Sequence, residues 1–88
     1  MDSKSISKEL SKLRRERYEL KLEELNNNNS IENKSRINEL DLEIEKLELK
    51  YSEIIYPLIY PDDEERVKEL LEVHKKIIAD LEKMIKEE

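Results

Sequence analysis

An 88-residue chain in which 45% of residues are charged and 36% apolar, with a formal net charge of −6, has room for one domain at most; at that size a single apolar core is only marginally sufficient. The absence of Cys excludes disulfides, thiolate metal sites and Cys nucleophiles, and the absence of Gly excludes a phosphate-cradling loop or dinucleotide fingerprint of the usual form. A mean hydropathy of −0.90 points towards disorder, but the apolar residues recur at helical spacing rather than at random, and periodicity decides for helix.

The charge is unevenly distributed. Residues 1–21 carry seven Lys and Arg against four Asp and Glu, residues 22–60 four against nine, and residues 61–88 six against ten. One basic end followed by an acidic remainder favours head-to-tail or antiparallel pairing between chains, or a local contact with an acidic partner.

The first helix is expected over about residues 4–25, capped by Asp2, Ser3 or Ser5. Its seam is Ile6, Leu10, Leu13, Arg17 and Leu20, so Arg17 must either loosen the packing or reach past the seam to a carboxylate with its stem still covering apolar surface. Tyr18, Leu22 and Leu25 form a second apolar stripe. Residues 26–30 interrupt the pattern as an Asn-rich turn, because Asn is the residue of this Gly-free chain best able to end a helix in the left-handed conformation. Asn29 or Ser30 then caps the next helix, with Glu32 in capping-box position.

The second helix is expected over about 31–55 and has the clearest rhythm in the chain: Ile37, Leu40, Ile44, Leu47, Tyr51 and Ile54, in steps of three and four. Leu42, Leu49 and Tyr56, seven apart, form another stripe on its far side, so this helix needs cover on two faces and suits the middle of a bundle. Pro57 and Pro61 should exclude regular helix, which makes 56–62 a Pro-containing connection. Asp62, with Glu65 completing a capping box, then starts a third helix over about 63–87. That helix has the broadest apolar face, three residues in every seven: Val67, His74 and Leu81; Leu70, Ile77 and Met84; Leu71, Ile78 and Ile85.

The fold expected is therefore all-α: an antiparallel three-helix bundle, or a coiled-coil-like hairpin plus a third helix, closing its core in a homodimer. No apolar run approaches the roughly 20 residues of a membrane span and the first residues lack the apolar stretch of a secretory signal, so no membrane contact and a cytoplasmic location are expected.

Chemistry finds little footing in the spacing. His74 is the single His, no Ser lies in its helix, and Leu71 and Leu70 stand where a helical metal site would place Glu. His74 reads as a core-edge residue bonded to a carboxylate or carbonyl, with a pH-sensitive contact as the second reading. Carboxylate pairs such as Glu39/Glu43 and Glu45/Glu48 read as solvated faces. No enzyme activity, cofactor, catalytic residue or metal ligand is assigned. The candidate partner-binding residues are Tyr56, Leu58, Ile59 and Tyr60, whose exposure would make an interface anchor and whose burial would plug the end of the bundle. The candidate basic patch is Lys8, Lys12, Arg14 and Arg15. The function expected is protein–protein interaction as an adaptor, scaffold component or small inhibitor; the alternative is a nucleic-acid-associated coiled coil using the basic first helix, which the overall acidity disfavours.

Overall fold

The computed structural model describes residues 2–26 and 31–87. They form three helices, α1 (Ser3–Leu25), α2 (Ile31–Ile59) and α3 (Glu64–Glu87), with no strand among the described residues. α1 packs on α2 and α2 on α3, whereas the backbones of α1 and α3 make no close contact among the described residues. Cross-helix pairs run in opposite order along α1 and α2: Glu23 with Asn33, Glu16 with Arg36, Arg17 with Asp41, Arg14 with Glu48. That hairpin is antiparallel.

Its core is the expected one. Ile6, Leu10 and Leu13 of α1 meet Leu40 and Ile44 of α2 in one buried cluster, flanked by the half-buried Leu20, Leu47 and Tyr51. The apolar rhythm of α2 holds from Ile37 to Tyr51 and fades at Ile54, which is exposed. Arg17 sits within the seam of α1 and reaches across it to the Asp41 carboxylate. Together with Arg14–Glu48 at 2.7 Å and Arg36–Glu16 at 2.8 Å, it sets the register of the hairpin. Half-exposed pairs of this kind contribute little stability each, about 0.2–1 kcal/mol, so burial carries the energy and charge the alignment.

The helix ends follow local chemistry, with three departures from the sequence reading. Asp2 caps α1, its Oδ1 accepting from the Ser5 amide at 2.8 Å, and that bond holds its carboxyl below the ordinary value. At the other end, Asn26 donates to the Leu22 and Glu23 carbonyls with φ −89° and ψ 21°, so it closes the helix in a right-handed rather than a left-handed conformation. The turn over 27–30 and the cap expected at Asn29 or Ser30 lie outside the described residues.

The second departure is the end of α2, which runs through Pro57 to Ile59, so 56–59 belongs to the helix and not to a connection. Proline removes the amide that would bond the Glu53 carbonyl. Glu53 lies on the exposed side of α2, where water can reach that carbonyl, and Tyr60 N–H already returns to the Tyr56 carbonyl at 2.8 Å. The helix therefore survives the loss of one bond in its last turns.

The third departure is the start of α3, capped by Asp63 rather than Asp62. The Asp63 amide donates to the Tyr60 carbonyl at 3.3 Å, which makes Tyr60 to Asp63 a four-residue turn with Pro61 at its favoured second position. The turn consumes Asp62 and leaves Asp63 Oδ1 to accept from the Arg66 amide at 3.0 Å. Glu65 consequently falls one place short of the capping box. Arg66, at that place, instead lies over the Tyr60 ring at 5.3 Å.

Two substitutions test this account. Leu40 is fully buried, and Leu40→Ala is expected to lower unfolding stability by about 2–5 kcal/mol in urea titration. Pro57→Ala restores an amide to the end of α2 and is expected to stabilise the chain by about 1–3 kcal/mol in the same assay; destabilisation would mean that the proline shapes a chain reversal rather than tolerating a helix.

Candidate functional site

Continued at the same spacing, the Leu42, Leu49 and Tyr56 stripe of α2 also includes Glu45 and Ser52. These face the row of α3 formed by Leu71, His74, Ile78, Leu81 and Ile85, in which Ile78 is buried and the others half-buried. A polar layer is thus set into an otherwise apolar interface. His74 is its centre: Nε2 lies 3.1 Å from Tyr56 Oη and 3.4 Å from Ser52 Oγ, and Nδ1 lies 3.8 Å from Glu45 Oε2. Carrying its proton on Nε2 the ring donates to the hydroxyls; carrying it on Nδ1 it accepts from them.

Glu48, one turn along α2 from Glu45, stands beside the same group. Glu45, Glu48 and His74 each offer a ligand atom within 4.8 Å of the other two. The Glu45 carboxyl is pushed above its ordinary value of 4.5, first by desolvation and then by the neighbouring Glu48 charge, with His74 opposing. Arg14 of α1 binds Glu48 Oε1 at 2.7 Å from the other side. The reading of Glu45/Glu48 as a solvated face is corrected: both side chains are about three-quarters covered, at 23% and 27% exposure.

The contacts in this layer run in the order of a Ser–His–carboxylate triad, Ser52 arriving from α2 although none lies in α3. Acyl transfer has no support in the geometry. Ser52 is buried, Tyr56 lies closer to the imidazole than Ser52 does, and amides within a helix are already bonded and cannot form an oxyanion hole.

A cleft of about 490 Å³ opens beside the layer, with Arg14 and Arg17 of α1 on one wall, Ile77 and Leu81 of α3 on the other, and Asp41, Ile44 and Glu45 of α2 along the floor. It exists because the flank of α1 turned towards α3 carries arginines bound down to α2 acids instead of apolar side chains. α3 therefore has nothing to pack against on that side. Ile77 and Met84, of its Leu70/Ile77/Met84 row, are 39% and 51% exposed.

The sequence-derived candidates separate. Tyr56 turns inward to His74, and Tyr60 is half-buried under Arg66, whereas Leu58 and Ile59 are 74% and 56% exposed. The four residues thus form no single exposed anchor. In the basic patch Arg14 is taken up by Glu48, while Lys8, Lys12 and Arg15 are exposed and make no ion pair among the described residues. The Tyr18/Leu22/Leu25 stripe of α1 is exposed as well. No described helix is long and apolar enough to cross a membrane. No family model, curated protein or solved structure matches the chain.

Because the Glu45 carboxyl is raised in the folded chain, folding favours its protonated form, and the penalty for its charge grows as pH rises from about 4.5 through the folded value. Glu45→Gln is therefore expected to raise the melting temperature near neutral pH in metal-free buffer. The two chains should converge as pH falls below the ordinary glutamate value, which thermal melts followed by circular dichroism across a pH series would check.

Proposed function

We propose that this protein is a non-enzymatic helical module that acts by protein–protein interaction, as an adaptor, scaffold component or small inhibitor, and that it pairs with a second copy of itself through α3. The observation that carries this reading is the uncovered α3 row. The helix with the broadest apolar face in the sequence has one buried apolar residue, Ile78, and leaves Ile77 and Met84 exposed, Ile77 on the wall of an open cleft. An amphipathic helix from another chain laid along that cleft would cover this row and give the bundle the further helix its apolar face calls for. The exposed Leu58 and Ile59 extend the apolar surface at the end of α2.

A second reading has an observation of its own. Lys8, Lys12 and Arg15 are free to meet phosphates on the outer flank of α1, as a nucleic-acid-associated coiled coil would require. The net charge of −6 opposes it, since an acidic chain repels a polyanion outside one small patch.

Light scattering behind size exclusion, over a dilution series, tests the first reading. A dimer is expected at tens of micromolar, and Ile77→Glu should convert it to monomer with helicity unchanged. A monomer at every concentration would remove self-pairing and leave a different protein as the occupant. Binding to random duplex that weakens by orders of magnitude between about 50 and 200 mM salt would favour the second reading instead.

A further inference from the structure

We propose that Glu45, Glu48 and His74 form a binding site for one divalent transition-metal ion, with Zn²⁺ as the probe, which ties α3 to α2. The inference is independent of what covers the α3 face.

Three observations converge on it. First, the ligand atoms come from two helices and lie within 4.8 Å of one another, a separation that small adjustments reduce to that of donors sharing one ion at about 2.0–2.2 Å. Second, Glu45 Oε2 and His74 Nδ1 are shut off from solvent and have no hydrogen-bond partner among the described residues. At 3.8 Å they are too far apart to bond each other. Two atoms each about 2.0 Å from a shared ion lie up to about 4 Å apart, so the gap has the size of a bridging cation.

Third, the other imidazole nitrogen is held by hydroxyls. With Nε2–H donating to Tyr56 Oη and Ser52 Oγ, the Nδ1 lone pair points at the carboxylates. In that tautomer the lone pair and an ionised carboxylate repel one another unless a proton or a cation lies between, and holding the second ring nitrogen by a hydrogen bond is how proteins orient metal-bound histidines.

Charge and chemistry select the ion. Glu45 and Glu48 stand one turn apart on α2 with their carboxylates at the same group, and a dication between them would relieve their mutual repulsion. Arg14 occupies Glu48 Oε1 and leaves Oε2 available. One imidazole with two carboxylates suits Zn²⁺, Co²⁺ or Ni²⁺, whereas Mg²⁺ and Ca²⁺ prefer all-oxygen sites. A fourth position would open towards the cleft between α1 and α3 and take water.

The test uses the untagged full chain, because a purification tag would add the only other imidazoles. Titration calorimetry with ZnCl₂ is expected to give one ion per chain and little response to MgCl₂. His74→Gln and Glu45→Gln should each weaken binding at least tenfold and Tyr56→Phe about tenfold, while Glu72→Gln, on the exposed side of α3, should leave it unchanged. Circular dichroism establishes that each variant is folded. Should a variant unfold, the unaltered chain still decides: His74 is the single histidine, so its side-chain ¹⁵N resonances identify Nδ1 coordination unambiguously. Zn²⁺ at several equivalents that leaves those resonances unmoved, or binding undiminished in both ligand variants, would overturn the site.

Discussion

The burial of Ile37, Leu40 and Ile44 of α2, with Leu40 and Ile44 packed against Ile6, Leu10 and Leu13 of α1, is the constraint on which the rest of the molecule depends. In a chain this charged, few residues can contribute transfer energy, and the buried ones lie mostly on α1 and α2. Cross-helix ion pairs align the two helices without adding much energy. Once α1 is aligned, Arg14 and Arg17 lie along the flank that faces α3, held by Glu48 and Asp41. The same pairs that set the register of the hairpin therefore prevent it from closing over the third helix.

From that geometry comes the asymmetry of the protein. The α1–α2 interface has an aliphatic buried core. On its α3 side the α2–α3 interface has Ile78 as the one buried apolar residue and a polar layer at His74. Buried polar contacts specify alignment more than they stabilise, because each is worthwhile only against partners placed to receive it. The hydroxyls of Ser52 and Tyr56, four residues apart along one side of α2, meet a single imidazole and fix which turn of α3 lies opposite them. The small Ser52 side chain also leaves room for the ring.

Much of the fold was legible in the sequence because it rests on periodicity and on the chemistry of helix ends. The a/d rhythm from Ile37 to Tyr51 named the core of the hairpin, and Arg17 within a seam left looser packing or a carboxylate beyond it as the two possibilities, of which Asp41 is the second. The polar layer was not legible. Glu45 and Ser52 fall on the Leu42/Leu49/Tyr56 stripe, but in a sequence so rich in Glu a carboxylate at a seam position does not stand out from those at solvated positions. Spacing within α3 offered no partner for His74, because Glu45, Ser52 and Tyr56, the polar groups that approach it, lie on α2.

What the sequence determined by itself is the number of helices, the core of the first two and the amphipathic character of the third; these depend on interactions within a helix or on one helix's apolar face. The tertiary structure alone decided where those faces find cover. Whether α3 closes against α1 depends on side chains of α1 that are already engaged with α2, and the grouping of Glu45, Glu48, Ser52, Tyr56 and His74 depends on the alignment of two helices joined by the turn at Pro61. The same holds for the end of α2, where a proline that forbids helix by local rules is accommodated in the last turns, the carbonyl it leaves unbonded belonging to the exposed residue Glu53. Local rules price each residue alone, whereas packing sets which of its groups remain exposed.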